Sequence, residues 1–329
     1  MPAYTDVPSD FPDIIGTSPA LRTILDVLPR IAATSAPVLL IGESGTGKQL
    51  LARSVHRHSR RAAGPFVTMK CTALSDELMR AEMLGRHNGL ANGDGDVSEG
   101  RLAQAHTGSL FLDGVGDLSL DAQATLLRVL ETREVTPVGT QQPTPVDVRI
   151  IAATHRDLDA AMAAGAFRED LYWRLHVVPL RLPPLRERAG DLAPLTDFLV
   201  QRLSLELKRP ITGVSPDVRQ LLATHDWPGN IRELENVLRR AVIVARGPHL
   251  QLEDLPIPLE RPKGIVGPLT LAEAVARATE RVERTLIETA LMQHHGSRTA
   301  TADGLGINRK TLFRKMRRYG MTGHAEEHV

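Results

Sequence analysis

The chain has 329 residues, and at about 150 residues per domain that length accommodates roughly two domains with cores of their own. Forty Lys and Arg against 39 Asp and Glu leave a net charge of +1, which excludes polyanion binding by bulk charge and makes any basic surface local. The single cysteine, Cys71, excludes an internal disulfide and a cysteine-rich zinc framework, and 3% aromatic residues argue against stacking platforms for single-stranded nucleic acid.

The opening stretch, Met1 to Asp13, is polar and lacks an apolar signal core, and nothing later forms a membrane-length apolar run. A cytoplasmic protein with no membrane partner is expected. Five short runs rich in apolar and β-branched residues then read as strands: Val38–Ile41, Phe66–Lys70, Ser109–Asp113, Arg149–Ala153 and Val177–Leu182. Helical patterns separate them, which predicts an α/β fold with a mostly parallel sheet covered on both faces. After Pro183-Pro184 the strand signal stops, and from Arg188 to Leu255 the spacing is helical, as at Val218, Leu221, Leu222 and at Ile231, Leu234, Val237, Leu238. Prolines and glycines between Pro256 and Pro268 mark a linker, and an all-helical domain follows from Leu269 to about Met321.

The strand Val38–Ile41 runs straight into Gly42-Glu43-Ser44-Gly45-Thr46-Gly47-Lys48, and a helical pattern begins near Gln49. Strand, glycine loop and helix in that order form a phosphate-binding loop: backbone N–H groups turn inward, the helix presents its positive end, and Lys48 reaches the β and γ oxygens. A nucleoside triphosphate is therefore the expected ligand of this loop. Gln49 stands where many such loops carry a Ser or Thr that ligates Mg2+, so the metal needs another oxygen. Asp113, closing the apolar run Leu110-Phe111-Leu112, is the candidate metal carboxylate; its bland alternative is to cap a helix near Leu118.

Further strings extend the pattern: Ile14-Ile15-Gly16-Thr17-Ser18-Pro19, Ile151-Ala152-Ala153-Thr154, Phe167-Arg168-Glu169-Asp170-Leu171, Leu182-Pro183-Pro184-Leu185-Arg186-Glu187-Arg188 and Trp227-Pro228-Gly229-Asn230-Ile231-Arg232-Glu233-Leu234. With the phosphate loop, they make the chain resemble the bacterial enhancer-binding proteins, AAA+ activators that remodel RNA polymerase carrying sigma-54. The resemblance covers Phe11–Leu255. It implies ATP as the cofactor and assigns Lys48 to its phosphates, Asp113 to Mg2+, Arg168 and Arg174 to catalytic fingers reaching a neighbour's nucleotide, and Arg232 to the lid arginine that senses the γ-phosphate. It implies a homo-oligomer, from dimer to hexamer, and RNA polymerase with sigma-54 as a partner. The expected division is an AAA+ α/β subdomain over 8–183, a helical lid over 184–256, a linker over 257–268 and a helix-turn-helix domain over 269–323. Because the ATPase module begins almost at Met1, no receiver module is expected, and control falls to a partner, expression level or nucleotide.

Three departures from the family pattern lie on one thread. The residue after Asp113 is normally a Glu that polarises the attacking water; here it is Gly114. The neighbouring strand normally carries an Asn that restrains this Glu; here it is Lys70, an added positive charge near the phosphates. The loop that contacts sigma-54 normally reads Gly-Ala-Phe-Thr-Gly-Ala; here Gly89-Leu90-Ala91-Asn92-Gly93-Asp94 has neither the Phe nor the Thr, and the glycine-rich acidic run after it suits no aromatic wedge. His155 also replaces an Asn after Thr154. A positioned base contributes about 10²–10⁴ in rate, so nucleotide binding without ordinary turnover is expected, with Asp117 the nearest substitute carboxylate. The rival readings are an active sigma-54-dependent motor and, more distantly, an AAA+ DNA-processing motor.

At the carboxy-terminal end, Leu269–Gln293 reads as an amphipathic helix with Leu271, Val275, Ala278, Val282 and Leu286 on one packing and dimer face. Two short helices follow, Thr299–Leu305 and Asn308–Tyr319, with Leu305, Ile307, Leu312 and Met316 as core and Asn308 as cap. Arg309, Lys310, Arg314, Lys315, Arg317 and Arg318 fall within ten residues that contain no acid. The segment resembles the Fis-type helix-turn-helix, which implies a two-fold symmetric site on double-stranded DNA contacted by Asn308, Arg309, Lys310, Thr311, Arg314, Lys315 and Arg318. His56 with His58, and His294-His295, have no acidic or cysteine cluster nearby and read as surface histidines rather than a metal site, and Cys71 reads as a small buried thiol.

Overall fold

The computed structural model describes residues 11, 14–71, 75–87, 97–255, 283, 286–287, 289–291, 293–294 and 297–318. The chain divides into two compact units, one ending at Leu259 and the other beginning at Glu260.

The first unit is built on five parallel strands, β1 (Val38–Ile41), β2 (Phe66–Lys70), β3 (Ser109–Asp113), β4 (Arg149–Thr154) and β5 (Val178–Arg181), in the order β2-β3-β4-β1-β5. The expected strands are all present, with β4 one residue longer and β5 one shorter at each end. Alternation within the strands explains why both faces are covered. Leu39, Met69, Leu110, Leu112, Ile150 and Ala152 enter one core, whereas Val38, Leu40, Phe111, Ile151, Ala153 and Leu180 enter another. The second core is sealed by α1 (Pro19–Ala32) and α2 (Lys48–Arg57), and the first by α3 (Asp76–Leu84), α4 (Leu120–Thr132) and α5 (Glu169–Leu175). Buried Arg149 fastens α1 to the sheet by donating to the carbonyls of Ile31 and Ala32 at 2.9 and 2.8 Å, which satisfies acceptors at the helix end.

A helical subdomain follows, with α6 (Ala189–Glu206), α7 (Pro216–Ala223) and α8 (Asn230–Val244) around a core that includes Leu199, Leu203, Trp227, Leu234 and Leu238. It is not helical throughout as expected: Gly213–Val214 pairs in parallel with His249–Leu250. Two-residue strands carry no periodicity, and this pair is held by its ends, with Thr212 N–H donating to Pro248 and Ser215 N–H to Leu250. The antiparallel ribbon of Gly85–His87 with Val97–Glu99 brackets the expected sigma-54 loop, Gly89–Asp94, which lies outside the described residues.

In the second unit, α9 (Arg298–Gly304) and α10 (Arg309–Arg318) close over Ile287, Ala302, Leu312 and Met316, with Leu305 and Ile307 packed against them. Leu286 was expected on the packing face but is 53% exposed, and Ile287 takes its place at 2%. Leu271, Val275, Ala278 and Val282 and the linker 257–268 lie outside the described residues. No helix among the described residues is long and apolar enough to cross a membrane.

One buried carboxylate joins the amino-terminal segment to the lid. Asp191 accepts from the N–H groups of Thr17 and Ser18 at 2.6 and 2.7 Å, from Ser18 Oγ at 2.7 Å and from Arg188 Nε at 2.9 Å. Burial pushes its pKa up, but the Ser18 and Arg188 hydrogen bonds outweigh this and hold it below the ordinary 3.8. A depressed folded value stabilises the fold above the unfolded pKa, and that contribution is lost as pH falls through the folded value. Asp191→Ala leaves Arg188 buried without its partner, so a loss of about 3–5 kcal/mol in urea unfolding at pH 7 is expected. The gap to wild type should narrow on acidification below about pH 4, as protonation removes the same interaction.

Candidate functional site

The carboxyl ends of neighbouring strands set the order of the site. Lys70 ends β2 in register with Asp113 of β3, Asp113 is in register with Ala153 of β4, and Thr154 of β4 is in register with Ile41 of β1. At about 4.8 Å between strands, Lys70 lies roughly 14 Å along the edge from the start of the glycine loop. Loops at such an edge converge on a crevice, as open α/β sheets require. The crevice here is a cleft of about 870 Å³ lined by Ser44–Gln49, Lys70, Asp113, Gly114, Asp117, Thr154, His155, Ile231 and Arg232, with Ile14 and Ile15 also on its wall.

The glycine loop adopts the expected strand-loop-helix form, with α2 starting at Lys48. Lys48 is buried, and its Nζ donates to the carbonyls of Gly42 and Glu43, each at 2.7 Å. Burial lowers its pKa, while Asp113 pulls it up and Arg232 pushes it down, so Asp113 and Arg232 both act on this ammonium. Thr46 Oγ1 donates to Glu43 O at 2.9 Å and fixes the turn. Gly45 sits at φ +80°, and a Cβ there would lie 2.2 Å from the carbonyl oxygen of Gly229. Glycine is therefore demanded by contact with the lid as well as by phosphate approach.

That contact is a polar seam. Glu43 accepts a bidentate pair from Arg186 at 2.9 and 2.6 Å and a third bond from Asn230 Nδ2 at 3.0 Å. The Arg186 and Asn230 hydrogen bonds hold the Glu43 pKa down to about 2. Asn230 also donates to Ser44 O at 3.1 Å and accepts from Leu185 N–H at 2.7 Å, while Ile231 N–H donates to Gly45 O at 3.0 Å and Arg232 Nη1 to Ser44 Oγ at 2.8 Å. The expected lid arginine thus reaches the glycine loop. Neither Arg186 nor Asn230 was singled out from sequence, although both stand inside strings that were read for other residues.

Gly114 adopts φ +89°, ψ 42°. Its left-handed backbone is free for glycine and costs other residues about 1–2 kcal/mol. Asp113 does not cap the next helix; Ser119 does, accepting from Ala122 N–H at 3.2 Å. The Asp113 carboxylate and the Lys70 ammonium have no hydrogen-bond or ion-pair partner among the described residues. Asp117 pairs through Oδ1 with Arg156 Nε at 2.6 Å, and its Oδ2 is buried without a partner. Gln49 offers only an amide. Asp113 and the unpaired Asp117 oxygen give a divalent ion acceptable oxygen donors, so this edge fits Mg2+. The buried Cys71 thiol is pushed up to about 12 by burial and by Asp113 and Asp117, and stays protonated as expected.

Arg168 and Arg174 are exposed and do not line this cleft. Arg168 precedes α5 and pairs with Asp170 at 3.0 and 2.6 Å, and Arg174 donates to Leu130 O at 2.9 Å. Between them Trp173 is 63% exposed. His56 is corrected from the surface to the core: it packs 5.3 Å from Phe66, shares a 3.0 Å hydrogen bond with Ser109, and burial lowers its pKa. No cluster able to hold a metal by three His, Cys, Asp or Glu occurs among the described residues.

On α10, Asn308 Oδ1 accepts from Thr311 N–H at 2.7 Å and caps the helix as expected. Arg309, Lys310 and Arg314 are exposed, whereas Lys315 is drawn into an ion pair with Glu283 of its own domain and leaves the free cationic face. The side chains of Arg317 and Arg318 lie outside the described residues.

A P-loop cleft beneath a helical lid, in a chain that ends in a capped cationic helix after a short turn, defines an AAA+ nucleotide module joined to a helix-turn-helix. Residues 14–181 match the Sigma-54 interaction domain, 186–264 the AAA+ ATPase lid domain and 278–319 the bacterial regulatory protein, Fis family. Regulatory protein AtoC of Escherichia coli (strain K12) is 43% identical over 312 residues, which cover 94% of this chain and 68% of that protein. DNA-binding transcriptional regulator NtrC of Klebsiella pneumoniae is 38% identical over 342 residues, covering 97% and 73%. The crystal structure of NtrX from Brucella abortus in complex with ATP superposes with a TM-score of 0.69 at 33% identity, covering 94% of this chain and 69% of that one. The chain belongs to the sigma-54 enhancer-binding proteins, the AAA+ transcription regulators that carry a Fis-type helix-turn-helix.

Asn230 stands at φ +53°, which glycine tolerates, so Asn230→Gly isolates the loss of its side chain from backbone strain. It leaves the Leu185 N–H unpaired, and a loss of about 1–3 kcal/mol in urea unfolding is expected, with faster hydrogen exchange at Leu185.

Proposed function

We propose that this regulator binds ATP in the P-loop cleft, assembles in response to it, and turns it over far more slowly than an ordinary member of its family. The carrying observation is Gly114: the position beside Asp113 has no side chain able to take a proton from water, and Lys70 replaces the amide that would restrain one. Lys48 and Arg232 hold the phosphates. Asp113 would hold Mg2+ if the ion accompanied the nucleotide, and the ion would supply positive charge against the phosphates. Nothing in that set removes a proton at 114. The altered segment Gly89–Asp94 supports the same reading, since a family member that does not drive its loop has no use for an aromatic tip, and productive contact with RNA polymerase carrying sigma-54 is weakened.

Oligomerisation, from dimer to hexamer, uses the face that carries Arg168, Arg174 and the exposed Trp173, because two exposed guanidinium groups outside their own cleft can exchange their contacts with Asp170 and Leu130 for a neighbour's anion. Exposed Arg309, Lys310 and Arg314 on a capped helix support docking in the major groove of double-stranded DNA at a two-fold site, with the protein acting in the cytoplasm.

A phosphate-release assay tests this reading. Turnover at least 100-fold below that of an intact family member is expected, with ATP binding abolished by Lys48→Ala; brisk turnover suppressed by Lys48→Ala overturns it. Gly114→Glu with Lys70→Asn is expected to regain only part of the rate, because the glutamate must also occupy a left-handed backbone. One observation favours a second reading, an active motor: Asp117 lines the same cleft and its buried Oδ2 has no partner. Turnover in wild type that is lost in Asp117→Asn selects it.

A further inference from the structure

We infer that Lys70 is a nucleotide-binding residue whose ammonium makes a divalent cation dispensable for holding ATP in this cleft, an inference that rests on the nucleotide-binding reading above. Lys70 and Asp113 are paired across adjacent parallel strands, and residues in register on neighbouring strands project to the same face of the sheet. Both line the cleft that contains Lys48 and Arg232. Neither has an ion-pair partner among the described residues, so the ammonium is not consumed by a structural contact, as that of Lys315 is by Glu283.

In P-loop proteins the charge between the β and γ phosphates and the strand-end carboxylate is carried by a divalent ion. Here an exposed lysine with a long flexible stem is in register with the residue that bears that carboxylate, and the residue after the P-loop lysine, Gln49, brings no hydroxyl for a metal. The Lys70 ammonium has three donors for phosphate oxygens and can also satisfy Asp113. It repels a second cation at the same edge, so affinity for the metal falls as the need for it falls. A triphosphate thus meets Lys48 from the glycine loop, Arg232 from the lid and Lys70 from the far strand.

Calorimetric titration of the full chain with ATP, in Mg2+ and again in EDTA, reads this directly. Wild type is expected to change its Kd less than about threefold on chelation. Lys70→Asn is expected to bind about tenfold more weakly in EDTA, or 1.4 kcal/mol, with a much smaller loss in Mg2+, and Lys70→Arg to restore metal-independent binding. A wild-type loss of tenfold or more on chelation overturns the proposal, as does Lys70→Asn matching wild type in both buffers. Wild type that takes up no ATP in either buffer, with Lys48→Ala indistinguishable from it, sinks the nucleotide-binding reading and this inference together. Wild-type binding that needs Lys48 but not Lys70 sinks the inference alone.

Discussion

The architecture depends on one junction, where a glycine loop that must bend around phosphate also bears on the lid. A carboxylate held by a forked guanidinium and an amide, a lid N–H given to the Gly45 carbonyl, and a backbone approach that forbids a Cβ at 45 bring the loop and α8 into one unit. Asp191 does the same for the amino-terminal segment, gripping two consecutive backbone N–H groups from inside the lid. The cleft is therefore walled by three stretches far apart in sequence, joined by two acidic side chains rather than by apolar contact alone. Polar seams of this kind define a geometry sharply, because a displacement leaves donors unpaired at a cost a greasy interface does not impose.

Along the sheet edge, chemistry follows strand order. The glycine loop grips at one end, Thr154 and Asp113 follow, and Lys70 closes the row. The far half of the row presents a cation at Lys70 and, after Asp113, a glycine with no side chain. Grip and chemistry are separable in this fold because they are carried by different strands.

Much of this was legible in the amino-acid order. Each strand of the main sheet is a short apolar run with abrupt ends, the loop and the helix cap at Asn308 follow from residue type and position, and the core residues Leu312 and Met316 follow from the resemblance to a Fis-type helix-turn-helix. What escaped has identifiable physical causes. The two-residue strand pair in the lid is too short to show a period. The register of Leu286 and Ile287 depends on which side the rest of the domain approaches, which an isolated amphipathic pattern leaves open by one residue. His56 looked like a surface group because its partners, Ser109 and Phe66, are remote in sequence, and Asn230 was overlooked because its role is set by the backbone groups of other segments.

The left-handed backbone at Gly114 has an evolutionary side. Some glycine codons become glutamate codons by a single base change, so the acid is genetically one step away. The conformation does not change with the codon: a new side chain would arrive on a main chain shaped for a residue without one, at a cost in strain. The genetic code thus places an acid nearer to this position than the local main chain does.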